Sequence, residues 1–163
     1  MWSRNAAAVA LVLAVSSCGF QLRGDPALGV KALHVSANGG STVATDIRRS
    51  LGTSSTRLVA TPAAAEAHLR ILQEARDKSV HTITGAGRVY EHQLKLMVRY
   101  ELEKPGQEER VIPPTEVEAR RVITYNEAAP TAKEAEEALL FKDMQVELAG
   151  RILRQVAIAQ GVR

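Results

Sequence analysis

The sequence predicts an α+β fold: a two-layer sandwich in which a four-stranded, mostly antiparallel sheet is packed by two helices, in the order β-α-β-β-β-α. Three observations carry that expectation. Tyr90, His92, Leu94, Leu96, Val98, Tyr100 and Leu102 alternate with Glu91, Gln93, Lys95, Arg99 and Glu101, the period-two pattern of a long, half-buried strand. Leu140, Met144, Leu148, Ile152 and Val156 recur every four residues, an apolar helical stripe. Glycine-bearing turns, Thr84-Gly85-Ala86-Gly87 and Lys104-Pro105-Gly106-Gln107, flank the long strand and favour antiparallel neighbours on both sides. Striped helices and a one-sided sheet bury their apolar surfaces together when both helices cover one face.

The elements follow in chain order. In Lys31–Ala37, Leu33 and Val35 alternate with Ala32, His34 and Ser36, giving a short strand that Asn38-Gly39-Gly40 ends. Ser41 or Thr42 can cap the next helix, where Val43, Ile47 and Leu51 share a face and Gly52 stops it. A loop runs through Thr61-Pro62. Ala67–Ile83 reads as a long twisted strand with Leu69 and Ile71 on one side. Val117–Tyr125 reads as the last strand, after Pro113-Pro114, with charges on both faces, which suits an edge or a polar neighbour. Thr131-Ala132-Lys133-Glu134 matches a capping box for the final helix, with Thr131 as N-cap and Glu134 at the third helical position.

The N-terminus carries a different signal. Arg4 precedes an uncharged run, Ala6 to Val15, too short for a hydrocarbon core that needs ~20 residues but suited to an export signal. Val15-Ser16-Ser17-Cys18 resembles a bacterial lipobox. That resemblance implies cleavage before Cys18, S-diacylglycerol and N-acyl groups on Cys18, and, with Gly19 rather than Asp at the next position, the outer membrane. Cys18 is the one cysteine of the chain, and a thiol without a partner is unexplained in an oxidising compartment. The alternative is an ordinary signal peptide or a hydrophobic N-terminal helix with an incidental cysteine. The expected organisation is a signal peptide over 1–17, a lipidated linker over 18–30 and a single α/β domain over 31–163.

Composition narrows the function. Of 163 residues, 21 are Lys or Arg and 18 are Asp or Glu. That balance lacks the clustered basic stripe of a nucleic-acid binder. The four histidines, His34, His68, His81 and His92, have no i, i+4 helical partners, so they do not spell a zinc site. His68 and His92 fit half-buried or surface histidines. No Gly-x-Ser-x-Gly is present, and Gly85-Ala86-Gly87 lacks the third glycine of a dinucleotide loop. The expectation is a protein that is not an enzyme and carries no cofactor or metal beyond the lipid on Cys18. Two cations stand at element ends: Arg88 after the hairpin turn, and Lys133 in the first turn of the last helix, where the dipole disfavours it. Lys133 either pairs with Glu137 at i+4, faces an anion, or is a solvated surface charge.

Cys18-Gly19-Phe20-Gln21-Leu22-Arg23-Gly24 resembles the mature start of the LptE (RlpB) family of lipopolysaccharide-assembly lipoproteins. The resemblance continues through Tyr90-Glu91-His92-Gln93-Leu94, Ala119-Arg120-Arg121-Val122-Ile123-Thr124-Tyr125-Asn126 and Thr131-Ala132-Lys133-Glu134. It implies a one-to-one complex with LptD, the outer-membrane β-barrel, whose lumen the lipoprotein plugs. It implies lipopolysaccharide binding through a lysine opening the last helix, matched by Lys133, and a basic residue at the hairpin turn, matched by Arg88. Lys and Arg can pair with lipid A phosphates. The implied location is the outer membrane, lipid-anchored, on the periplasmic side and within the barrel lumen, with no nucleic-acid partner. Two other classes share parts of this pattern: a periplasm-facing outer-membrane lipoprotein that activates a cell-wall synthase or transporter, and a lipid-anchored hydrolase.

Overall fold

The computed structural model describes residues 28–85, 87–125 and 130–162. The expected signal peptide, Cys18, the motif following it, Ala86 and Asn126 lie outside the described residues. Along the chain run β1 (Ala32–Ala37), α1 (Thr42–Leu51), β2 (Arg57–Leu58), β3 (Ala67–Ile83), β4 (Val89–Glu103), β5 (Ile112–Thr124) and α2 (Pro130–Ala159), with a 3₁₀ turn at Pro62–Ala64.

The sheet has five strands in the order β2-β1-β3-β4-β5, which corrects the four-strand expectation and the β-α-β-β-β-α order. The added strand is β2, two exposed residues long. Backbone bonds flanking β2, Arg57 N–H to Lys31 O at 2.8 Å and Val59 N–H to Leu33 O at 3.0 Å, hold it to β1. No side-chain period can announce two residues. β1 pairs in parallel with both β2 and β3, because α1 carries the chain across the sheet between β1 and β3, as a parallel connection requires. The long pairings, β3 with β4 and β4 with β5, are antiparallel.

β5 begins at Ile112 and so includes Pro113 and Pro114, which the sequence placed ahead of it. β5 is an edge strand, and its register with β4 shifts between Tyr100 and Leu102. Missing N–H donors are tolerated at an edge and at a bulge.

Leu33 and Val35, Leu69 and Ile71, and the even positions of β4 from Leu94 to Leu102 form one core with Val43, Ile47 and Leu51 of α1 and Met144, Leu148, Ile152 and Val156 of α2. Each large apolar side chain fully buried there stabilises by roughly 1.5–3 kcal/mol. The core reaches back to Leu28 and Val30.

A register shift between Ile71 and Gln73 of β3 positions the distal part of the molecule. Before it, Leu69 and Ile71 stand opposite Leu102 and Tyr100; after it, Glu74, Arg76, Lys78 and Val80 stand opposite Val98, Leu96, Leu94 and His92. The bulge exchanges odd for even positions on the helix-facing side. Glu74, Arg76 and Lys78 therefore point at the helices.

Helix starts follow local chemistry. Ser41 is the N-cap of α1, its Oγ accepting from Ala44 N–H at 2.9 Å. The cap is extended by Glu74, which accepts from Ser41 Oγ (2.6 Å), Thr42 Oγ1 (2.5 Å) and Val43 N–H (3.1 Å). α2 starts at Pro130, so Thr131 is its second residue and not the expected N-cap. Proline's fixed φ and missing donor suit the first helical position.

Candidate functional site

The far end of the sheet gathers the hairpin between β3 and β4, the end of β5 and the start of α2. The hairpin is closed by Thr84 N–H to Arg88 O at 2.7 Å and Gly87 N–H to Thr84 O at 2.8 Å, with Gly87 at φ 76°, a conformation glycine adopts without a Cβ penalty. Thr84 Oγ1 accepts from Arg88 N–H at 3.1 Å, so the backbone of Arg88 is fixed and its side chain is exposed.

Lys133 lies on the neighbouring element. Its Nζ reaches Glu136 Oε2 at 2.8 Å and Thr124 Oγ1 of β5 at 3.1 Å. The i+4 alternative, Glu137, is taken by Lys78 of β3, Nζ to Oε2 at 2.6 Å. Tyr125 N–H donates to Tyr90 O at 2.8 Å. The residue before Tyr125 thus contacts Lys133, and Tyr90 is two residues from Arg88. The two sequence-selected cations share this end of the molecule without touching.

Between α2 and the sheet lie two adjoining clefts. One, about 160 Å³, is lined by His92, Ile123, Tyr125, Pro130 and Lys133 among others; the second, about 570 Å³, by Arg76, Asp77, Ala138 and Phe141. Lys78, Glu134 and Glu137 border both. The Arg76 guanidinium stands 5.3 Å from the centroid of the Phe141 ring. His92 meets Tyr125 edge-on at 5.5 Å. Val80, Tyr90 and Tyr125 are exposed beyond the helix. The surface is amphipathic: its walls carry Arg76, Lys78 and Lys133 interleaved with Asp77, Glu134 and Glu137, and its outer end carries uncovered apolar side chains, so its cations can pair with an anionic group attached to a hydrocarbon.

A second constellation, invisible in the sequence, lies at the opposite end of β3. His34 and His68 are paired across β1 and β3, their ring centroids 4.6 Å apart. His68 Nδ1 lies 3.1 Å from Glu103 Oε1 and its Nε2 2.8 Å from Ser36 Oγ. The carboxylate accepts only, so His68 donates from Nδ1 and Nε2 accepts from the Ser36 hydroxyl. Burial, with the neighbouring His34 second, pushes the His68 pKa below its usual value of 6.5, against an opposing pull from Glu103. The order Ser36–His68–Glu103 is that of a hydrolase relay, but Ser36 sits within β1 and not on the sharp strand-to-helix turn that presents a hydrolase nucleophile. The trio serves as a polar seam joining β1, β3 and β4. Above it on the outer face, buried Glu101 receives Arg70 at 3.1 Å and Arg110 at 2.8 Å.

Among the described residues no group of three His, Cys, Asp or Glu could hold a metal ion, and no helix is long and apolar enough to cross a membrane.

This arrangement of sheet, helices and distal cleft can be set beside known proteins. The family model LptE, lipopolysaccharide-assembly, matches residues 30–156. The chain belongs to the LptE family. The family is non-enzymatic and has no known cofactor. The solution structure of uncharacterized lipoprotein B from Nitrosomonas europaea is 29% identical, covering 85% of this chain and 90% of that one, with a TM-score of 0.72. The crystal structure of rare lipoprotein B from Shewanella oneidensis is 25% identical over 79% of this chain and 96% of that one, with a TM-score of 0.70. A minor lipoprotein from Acinetobacter baumannii shares the fold at 21% identity, covering 78% of this chain and 91% of that one, with a TM-score of 0.63. No curated protein matches the chain.

Proposed function

We propose that this chain is an outer-membrane lipoprotein, anchored through acylated Cys18, that joins the LptD β-barrel one-to-one as its plug and lipopolysaccharide-binding subunit. The observation that carries the reading is membership of the lipopolysaccharide-assembly family over residues 30–156. The amphipathic far end supports the lipid-binding part. Arg88 and Lys133 offer charge to lipid A phosphates, and Val80, Tyr90 and Tyr125 offer apolar surface to acyl chains. The plug role is supported by the outer face of the sheet, where Lys95–Glu118 (3.0 Å) and Arg120–Glu118 (2.6 Å) form cross-strand and same-strand ion pairs. Such a face suits a polar barrel lumen.

The test is affinity isolation from outer membranes, with the co-isolating barrel identified by mass spectrometry. LptD in equal amount is expected; a preparation free of any barrel would sink the plug role. Lys133→Glu with Arg88→Glu is expected to weaken lipopolysaccharide binding while leaving barrel recovery intact. Unchanged lipid binding would remove these two residues from the site.

A further inference from the structure

An ion pair stands where the two distal clefts adjoin, beside Glu134, which also borders both. Lys78 Nζ reaches from β3 to Glu137 Oε2 on α2 at 2.6 Å, and both residues border the cleft on either side. We propose that Lys78 is a further phosphate-binding residue of this site and that Glu137 is its resident counter-ion, which a phosphorylated amphiphile displaces as it occupies both clefts. This rests on the lipid-binding reading above.

Four observations converge. The bulge at Ile71/Gln73 turns Lys78 toward the helix side; without it Asp77 would take that position and present the wrong charge to a phosphate. The pair is partly open to solvent, with the lysine 43% and the glutamate 24% exposed, so parting the two costs little and water can rehydrate both. A phosphate monoester brings more negative charge and more acceptor oxygens than the carboxylate it replaces, so it competes well for an ammonium. Finally, the larger cleft has Phe141 in its lining, with Arg76 over the ring. Opening the pair therefore joins an apolar wall to Arg76, Lys78 and Lys133, in a lining that also holds Asp77, Glu134 and Glu137, with Lys133 paired to Glu136. In the closed state Glu137 keeps Lys78 neutralised, so the site discriminates against weakly charged lipids.

The measurement is binding of lipopolysaccharide and of its phosphatase-treated form to the full chain, for wild type, Glu137→Gln, Lys78→Met, Lys78→Arg and the Glu137→Gln/Lys78→Met double variant. Glu137→Gln is expected to tighten binding of the phosphorylated lipid about two- to fivefold, the scale of a partly exposed ion pair, and to leave the dephosphorylated lipid unchanged. Lys78→Met is expected to weaken phosphorylated-lipid binding about tenfold, Lys78→Arg to restore most of it, and the gain from Glu137→Gln to vanish in the double variant. Weaker binding in Glu137→Gln, an equal gain for both lipids, or a gain that persists without Lys78 would overturn the counter-ion role while leaving the lipid-binding reading intact. Absence of binding by wild type would overturn both.

Discussion

Gly29 offers a sharp quantitative test of how the N-terminal segment is seated. Its φ is 72°, a left-handed conformation that costs an L-residue about 1–2 kcal/mol. A Cβ there would stand 2.9 Å from Gln160 Cβ, 2.9 Å from Val162 Cγ2 and 3.3 Å from Gln160 O. Those contacts fall just past the end of α2, and Gln160 Cβ and O are tied to the backbone and cannot swing away as a side-chain tip can; overpacking of that kind costs about 1–3 kcal/mol. Gly29→Ala, with the reduced freedom of the unfolded chain allowed for, is therefore expected to destabilise by about 2–4 kcal/mol. Gly39 supplies the control. Its φ is 81°, yet a Cβ there meets nothing within 4 Å. Gly39→Ala carries the backbone cost alone, partly offset by the reduced freedom of the unfolded chain, for a net of about 1 kcal/mol. Urea unfolding of both variants followed by circular dichroism measures the difference directly. Equal losses would refute the close approach between the start of the domain and the end of α2. A clearly larger loss in Gly29→Ala than in Gly39→Ala supports the close approach that seats Leu28 and Val30 against the end of α2.

Three further outcomes are expected. The lowered pKa of His68 means the unfolded chain binds more protons than the folded one just below 6.5, so stability is full above that pH and declines as pH falls from 6.5 toward the folded value; thermal melts at pH 7.5 and 5.5 should show a gap that narrows in His68→Gln, and an unaltered gap would assign the effect elsewhere. Ser41→Ala removes the cap to Ala44 and one of the three donors to Glu74, an expected loss of about 1–2 kcal/mol in the same unfolding assay; a loss below a few tenths would mean that Glu74 caps α1 alone. Replacing Arg70 and Arg110 together by Met leaves the 3%-exposed Glu101 carboxylate uncompensated and should cost about 3 kcal/mol or more, whereas Glu101→Gln releases two half-exposed arginines to water and should cost less; the reverse order in unfolding midpoints would show that the clamp acts through loop packing.

Legibility divided along physical lines. β3 was readable to its last residue and β4 nearly so, because long half-buried strands write their period into the sequence. α2 was readable as an apolar stripe, though its first residue was not: Pro130 and Thr131 both carry start signals, and proline took the first helical position. β2 was not readable, since Arg57 and Leu58 are held by backbone bonds beside them and bury no side chain. The proline pair inside β5 reads as a boundary because sequence alone does not reveal the shifted register between Tyr100 and Leu102 that lets the strand begin at Ile112. The charges on both faces of β5 were read correctly as needing an edge or a polar neighbour, and it has both: Arg121 reaches Glu147 of α2 at 2.6 Å. At the candidate site, Lys133 and Arg88 stood out by position, but Lys78 did not. Its role depends on a one-residue bulge that reverses the facing of half a strand and on a glutamate 59 positions away, neither of which leaves a local trace.

The same bulge ties the two halves of the molecule to two different tasks. Toward β1, unshifted β3 gives Leu69 and Ile71 to the core, and stability is made there by burial. Beyond the shift the helix-facing positions become Glu74, Arg76, Lys78 and Val80, none of them core residues. Glu74 is spent on capping α1, and the next three form a charged rail ending in an exposed apolar residue. A sheet built only for stability would continue the apolar face to the hairpin, as β4 does as far as Leu94. β3 abandons it where α2 begins to leave room for a cleft, so the sequence there answers to something other than the core. Under the proposed function that something is an amphiphile with phosphates, and the rail Arg76–Lys78 with Lys133 opposite is the part of the surface on which its headgroup charge would be read.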